Sequence, residues 1–107
     1  MVTSAQARGL LGCWHLKQAD PALEMTEPVE MEFKADGRLV YCIQAGDRWQ
    51  VMLLSYRIEG SELVTDQASH PGEERTAFSL DGEKTLILDY GGAKAVFERG
   101  DKRGPAV

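Results

Sequence analysis

Turn signals recur along this chain at short, regular intervals, and that spacing limits the folds the chain can adopt. Dipeptides such as Asp36-Gly37, Gly60-Ser61 and Gly91-Gly92 are separated by runs rich in Val, Ile, Leu, Phe and Tyr. Short apolar runs separated by turn residues at even intervals are typical of an all-β sandwich or barrel. We interpret them as eight strands, over residues 10–18, 28–34, 38–44, 48–58, 62–66, 73–80, 85–90 and 93–99.

The connections between these runs predict how the strands are arranged. From the second strand onward every connection is short enough for a hairpin, and consecutive hairpins build an antiparallel meander. A twisted sheet of about eight strands tends to close on itself, which removes its exposed edges. A chain of 107 residues is long enough for one core and too short for two. We therefore predict one up-and-down barrel domain with its core over residues 9–100 and tails at 1–8 and 101–107.

The alternation of apolar and polar residues predicts which side chains face inward. Symmetric flanking of the Asp36-Gly37 turn places Phe33 opposite Leu39, and extending this register makes the interior mostly aliphatic. The polar exceptions are candidate ligand-binding residues: Tyr41, Tyr56, Tyr90, Thr65, Thr76 and Gln18. Alternatively, they are barrel-end residues whose polar groups reach water or backbone, as those of buried tyrosines usually do.

The longest connection, residues 19–27, carries a helix-start signal. Asp20 is a good N-cap residue, and Pro21 after it suits the first helical position. A helical turn through Leu23 and Met25 is predicted to follow. It would lie across one end of the barrel, either as a lid over a mouth or as a plug that only covers core residues.

Charge and composition exclude several classes of protein. A net charge of -5 and a pI near 5.0 argue against a nucleic-acid binder, which needs concentrated Lys and Arg. No apolar run has the length of a membrane span or of a secretory leader. Cys13 and Cys42 fall on strands two apart, too far for a disulfide. We expect free thiols and a cytoplasmic protein.

No catalytic, cofactor or metal signature is present. Cys13 and His15 share the outer face of the first strand beside Glu30 and Glu32, and all four are possible zinc ligands. The set has no diagnostic spacing, so we expect a solvated surface and no metal. His15 and His70 are the only histidines, and neither lies beside a plausible nucleophile, so no catalytic residue is assigned.

Residues at the two ends of the chain carry a family resemblance. Gly12-Cys13-Trp14 forms a Gly-x-Trp triplet on the first strand, and Arg99 ends the last strand. This pairing resembles the signature of the calycins, in which an Arg or Lys from the final strand covers the Trp. The chain is most similar to the small bacterial lipocalin-like domains, since it lacks the long first loop and final helix of full-length lipocalins. The resemblance implies that a small apolar or aromatic molecule binds inside the barrel.

The fourth run is apolar on both faces, which points to a second candidate function. Its outward set is predicted to be Trp49, Val51 and Leu53, beside Val40 on the preceding strand. An apolar patch on the outside of a barrel usually marks a contact surface. The alternative function is thus a homodimeric interaction module with a filled barrel and no ligand. A bulge, or coverage by the N-terminal tail, would instead remove the patch.

Overall fold

Eight antiparallel strands close into one barrel within residues 9–105, the part of the chain that this computed structural model describes. The strand order around the barrel is the order in the chain, so the predicted up-and-down topology is confirmed. The strands are β1 (Gly12–Ala19), β2 (Val29–Phe33), β3 (Arg38–Ala45), β4 (Arg48–Glu59), β5 (Glu62–Gln67), β6 (His70–Asp81), β7 (Thr85–Tyr90) and β8 (Ala93–Arg99).

Closure of the barrel depends on the ladder between the first and last strands. Trp14 pairs with Arg99 and Leu16 pairs with Phe97, and the register shifts by a bulge between Leu16 and Gln18. Pairing of β1 with β8 leaves no free sheet edge among the eight strands, which protects the sheet from edge-to-edge association.

The predicted register of the second hairpin is confirmed. Val29, Met31 and Phe33 pair with Ile43, Tyr41 and Leu39 in turn, and this set faces inward. The intervening Glu30 and Glu32 therefore point outward, because successive side chains of a strand alternate between faces.

The two ends of the barrel differ in packing. At the end where β1 begins, which we call the closed end, the core side chains are fully or almost fully buried: Leu10, Trp14, Phe33, Leu86 and Phe97. At the opposite end, where β1 and β7 finish, inward side chains such as Tyr41 and Ile43 are only partly buried. We call this the open end, and it is where space for a ligand remains.

Two strand boundaries differ from the prediction by more than one residue. β1 begins at Gly12 rather than at residue 10, because Gly12 has φ +112° and the chain turns there. β6 begins at His70 rather than at residue 73, since the hairpin turn is at Ala68 and Ser69 and Gln67 pairs with His70. Pro71 lies within this strand, where proline is tolerated because it is close to the strand's start.

The first connection forms a helical turn that begins after Asp20 as predicted but ends at Leu23, before Met25. Pro21–Leu23 is a 3₁₀ helix, and the Asp20 carboxylate accepts a hydrogen bond from the Ala22 backbone at 2.9 Å. The Asp20 N–H donates to the Lys94 carbonyl at 2.8 Å, which fastens the turn to β8. Leu23 and Met25 are partly buried against the core, so the segment covers part of the open end.

The C-terminal segment corrects the prediction of a tail from residue 101 onward. The backbone N–H groups of Arg103 and Gly104 donate to Oε1 of Glu30 at 2.7 and 3.1 Å. Lys102 Nζ lies 3.0 Å from Oε1 of Glu32, and the Asp101 carbonyl lies 2.6 Å from Nε2 of His15. Residues 101–104 thus pack on the outer face of β1 and β2.

This packing also overturns the expectation of a solvated strand surface around Glu30. Glu30 is only 1% exposed, and Cys42 on the adjoining strand is fully buried. A Cβ added to Gly104 would lie 3.4 Å from Sγ of Cys42, so the segment leaves no room there for a larger residue. Backbone donors, rather than solvent, satisfy the buried carboxylate.

Candidate ligand-binding site

A cavity of about 370 Å³ lies inside the barrel near its open end. Its volume is within the range of small-molecule sites, and most of its walls are apolar. Each strand from β2 to β7 contributes inward side chains, because alternation brings every second residue to the lumen. The lining residues are Met31, Leu39, Tyr41, Ile43, Met52, Leu54, Leu63, Thr65, Gln67, Glu74, Thr76, Leu88 and Tyr90.

Four of the six candidate ligand-binding residues line this cavity. They are Tyr41 on β3, Thr65 on β5, Thr76 on β6 and Tyr90 on β7. Their four hydroxyls are the polar groups that the sequence predicted for the lumen. Each can donate and accept a hydrogen bond, so together they can orient a ligand whose remaining surface is apolar.

Tyr56 faces inward but lies outside the cavity lining. Its hydroxyl donates to the Lys34 carbonyl at 2.8 Å, and its ring packs edge-on against Phe33 with centroids 5.0 Å apart. Tyr56 therefore serves the packing of the closed end, as the alternative reading of the tyrosines predicted.

Gln18 is also absent from the cavity lining. It is exposed and follows the bulge in β1, where it borders a separate surface recess with Asp20 and Lys94. The extra residue at a bulge breaks the strict alternation of faces, which explains why parity alone misplaced Gln18.

The two cavity tyrosines have raised pKa values. Burial raises the pKa of Tyr41. Burial also raises the pKa of Tyr90, to about 12, with further contributions from Tyr41 and Glu74. Tyr41 and Tyr90 lie on β3 and β7, four strands apart in a ring of eight, so their rings face the lumen from opposite walls. Both hydroxyls keep their protons at neutral pH and remain available as donors.

The closed end is sealed by the residues that carried the family resemblance. Arg99 lies over the Trp14 ring, with Cζ 4.2 Å from the ring centroid, and its Nη1 and Nη2 donate to the carbonyls of Leu11 and Gly9 at 2.6 and 2.5 Å. Trp14 is fully buried, and its Nε1 donates to the Leu10 carbonyl at 2.8 Å. The guanidinium and the indole thus close the floor below the cavity.

Gly12 completes this arrangement. Its φ of +112° is strained for any other residue, and an added Cβ would lie 2.8 Å from Nη1 of Arg99. The glycine of the Gly-x-Trp triplet therefore has a local physical role, because only the absence of a side chain allows this close approach.

Solved structures share this arrangement of strands. A lipocalin-like protein from Bacteroides uniformis superposes with a TM-score of 0.70 at 19% sequence identity, and the match covers 86% of this chain and 99% of that chain. The fold is lipocalin-like. An uncharacterized protein from Bacteroides eggerthii has a TM-score of 0.67 at 15% identity, with 85% of this chain and 99% of that chain covered. No protein-family model and no curated protein matches the chain by sequence.

The lipocalin-like cavity also contains residues that the sequence analysis missed. Glu74, Gln67 and Met52 line it, although none was among the candidates. Glu74 lies two positions before Thr76, which was predicted to face inward, so alternation along β6 would have found it. Gln67 follows a shift in register after Thr65, and the β5 boundary had been placed one residue too early.

The outer face of the lipocalin-like barrel carries the residues of the predicted contact patch. Leu53 is 55% exposed, whereas Trp49 and Val51 are half-buried. Val40 pairs with Leu53 and faces outward, but it is only 2% exposed. The apolar surface that remains accessible is therefore centred on Leu53 and is smaller than predicted.

Two further findings concern residues 9–105. Within this range, leaving aside the side chain of His70, which the structure does not describe, no group of three or more His, Cys, Asp or Glu side chains is placed to hold a metal ion. Over the same residues, no helix is long and apolar enough to cross a membrane. Cys13 and Cys42 are free thiols, and burial raises the pKa of each.

Proposed function

We propose that this lipocalin-like barrel binds one small apolar or aromatic molecule inside its open end. The observation that carries the proposal is the cavity of about 370 Å³. A filled barrel would have no such space, because protein interiors are otherwise packed with few voids larger than a water molecule. The cavity would then be a binding site rather than a void left by packing.

The chemistry of the walls supports this class of ligand. Side chains such as Met31, Leu39, Leu63 and Leu88 supply an apolar surface, and each methylene group that a ligand moves into it contributes ~0.8 kcal/mol. The hydroxyls at the lumen then give orientation rather than most of the affinity. An apolar group that displaces poorly ordered water gains further affinity.

Titration calorimetry with octanol tests the proposal. We expect one molecule to bind with a dissociation constant of about 1 mM or tighter, as estimated from the burial of its alkyl chain. Thr76→Trp places an indole in the cavity and is expected to weaken binding at least about tenfold, a loss of ~1.4 kcal/mol.

The matched control is Ala77→Trp, because Ala77 is exposed on the same strand and faces outward. It adds the same indole outside the barrel, so octanol binding is expected to be unchanged. Absence of octanol binding to the parent protein contradicts the proposal, and so does equal weakening by both variants.

A second candidate function rests on a different surface. We propose that two copies associate through the outer face of β4, where Leu53 is 55% exposed beside Trp49 and Val51. A symmetric dimer brings the same patch of each copy together, so one exposed leucine meets its own equivalent. Association through this outer face does not depend on whether side chains or a ligand fill the barrel, so it is compatible with a bound ligand.

Sedimentation velocity distinguishes this second candidate. The parent protein is expected to dimerise at high micromolar concentration, and Leu53→Glu is expected to leave a monomer because a carboxylate would be buried without a partner. Ser55→Glu, an exposed position on the same face of β4, is the control and is expected to dimerise. A monomeric parent protein would contradict the second candidate.

We also propose that the protein works in the reducing environment of the cytoplasm. Two free thiols support this compartment, since disulfides are favoured where the surroundings are oxidising. Fractionation of the source cells tests it, and recovery of the protein outside the cytoplasm would contradict it.

A further inference from the structure

One carboxylate faces the lumen of the barrel. Glu74 pairs with Thr65 across the β5–β6 ladder and shares its face of β6 with Thr76, so its side chain is directed toward the cavity. Among the described residues that line the cavity, Glu74 is the only charged one. Its neighbour Glu73 faces outward and binds Nη1 of Arg57 at 2.6 Å. Among the side chains and backbone groups that the structure describes, which exclude the His70 side chain, none makes a hydrogen bond or ion pair to Glu74, so its charge is available to a ligand.

Two aromatic rings line this cavity. Tyr41 and Tyr90 face each other from opposite walls, and Tyr90 and Glu74 are close enough to interact electrostatically. The face of an aromatic ring carries partial negative charge and attracts a cation placed over it. The Glu74 carboxylate and the faces of the two rings therefore give one part of a largely apolar lining a negative potential.

The charged side chains around the open end of the cavity are also negative. A smaller recess of about 130 Å³ adjoins the cavity and shares Tyr41 and Ile43 with it, and Glu24 and Glu27 lie on its walls. The whole chain has a net charge of -5. An anionic ligand would meet these carboxylates and would have no described cation in the cavity to pair with, which makes its burial costly.

We propose that the ligands of this barrel carry a protonated amine on an apolar body, with the ammonium held by Glu74 between the rings of Tyr41 and Tyr90. This inference rests on the proposed function and adds the chemical class of the ligand. The apolar body occupies the lumen toward Leu63 and Leu88, while the ammonium stays near the mouth, where it keeps part of its hydration. The arrangement combines an ion pair with cation–π contacts.

Calorimetry with three ligands of one alkyl chain tests the inference: octylamine, octanol and octanoate. They differ only in the end group, which is cationic, neutral or anionic near neutral pH. We expect octylamine to bind about tenfold more tightly than octanol. A partly exposed ion pair and a cation–π contact together provide additional affinity of about this size. Octanoate is expected to bind more weakly than octanol.

Glu74→Gln is the decisive variant because it removes the charge and keeps the shape of the side chain. It is expected to reduce octylamine affinity to that of octanol, while octanol affinity stays unchanged. The matched control is Glu73→Gln, which changes the net charge equally on the outer face of the same strand and is expected to preserve the preference for octylamine.

The outcomes separate this inference from the proposed function. If octanol binds as tightly as octylamine, or if Glu73→Gln and Glu74→Gln weaken octylamine binding equally, the amine preference is overturned while the binding function stands. If none of the three ligands binds, the proposed function fails and the inference fails with it. Loss of the preference in Glu74→Gln alone supports both.

Discussion

The guanidinium of Arg99 lies 4.2 Å from the centre of the Trp14 ring, which joins the last strand of the barrel to the first. The Trp14 ring is fully buried beneath it. A cation over an indole contributes ~0.5–2 kcal/mol, depending on how far the pair is desolvated. This contact shuts one end of the barrel, so the proposed ligand would enter from the other.

Trp14→Ala is expected to lower the free energy of unfolding by ~3–5 kcal/mol, because it removes a large buried ring and leaves a void. This is a large part of the ~5–15 kcal/mol that stabilises a typical domain. Urea denaturation followed by circular dichroism measures the change. A loss near zero would show that the ring contributes nothing to the core.

Gly12→Ala is expected to destabilise the protein by ~2–4 kcal/mol, since the new Cβ adds backbone strain and displaces the Arg99 side chain. Its control is Gly46→Ala, where φ is +65° but an added Cβ has no atom within 4 Å. That variant is expected to lose only ~1 kcal/mol. If both variants lose the same free energy of unfolding in urea denaturation, the close approach of Arg99 to Gly12 does not contribute to stability.

Much of this barrel could be predicted from local patterns. Turn residues such as Asp36-Gly37 mark where strands end, and the two-residue period then assigns each side chain to a face. Once Phe33 is placed opposite Leu39, the inward positions of Met31 and Tyr41 follow without reference to the rest of the chain, and the structure confirms them. The Gly-x-Trp triplet with Arg99 supplied the one long-range contact that predicts closure.

The remaining features depend on contacts that the local pattern does not contain. The polar segment at residues 101–104 has the composition of a solvated tail, yet its backbone N–H groups bind the Glu30 carboxylate. Gln18 was predicted to face inward, but the bulge in β1 changes which residues face the lumen. Tyr56 does face inward, but alternation does not predict how far along the barrel axis a side chain lies. Glu74 obeys the parity rule and could have been found from it.

The C-terminal segment is expected to shield the Cys42 thiol. Cys42 is fully buried, and burial raises the pKa of its thiol, so little thiolate is present at neutral pH. In a Cys13→Ser background, deletion of residues 101–107 is expected to speed the reaction of the Cys42 thiol with 5,5′-dithiobis(2-nitrobenzoate) about tenfold or more. Local exposure of the thiol governs the rate of this reaction. The control is the same background with the segment intact. An unchanged rate in a variant that stays folded would show that other residues bury Cys42.

The cavity tyrosines are expected to make stability fall in alkaline solution. The pKa of Tyr90 is raised from 10.0 to about 12 by burial and by nearby Tyr41 and Glu74. Between these values the unfolded chain has lost a proton that the folded chain keeps, so the free energy of unfolding decreases as the pH rises. Because Tyr90 is 40% exposed, water screens the effect, and we expect its share to stay below ~1 kcal/mol.

Denaturation at a series of pH values, compared with Tyr90→Phe, measures this share. The variant is expected to lose less stability than the parent protein over that interval. An ultraviolet titration in which all tyrosines ionise together near their ordinary pKa would contradict the assignment.

Two adjacent leucines on β4 distinguish a ligand bound in the lumen from one bound on the outer surface. Leu54 lines the cavity, whereas Leu53 faces outward and is exposed. In protein with labelled leucine methyl groups, nuclear Overhauser contacts from bound octanol are predicted to reach Leu54 and to be absent at Leu53. Contacts at Leu53 without any at Leu54 would place octanol on the surface and show that the lumen is not its binding site.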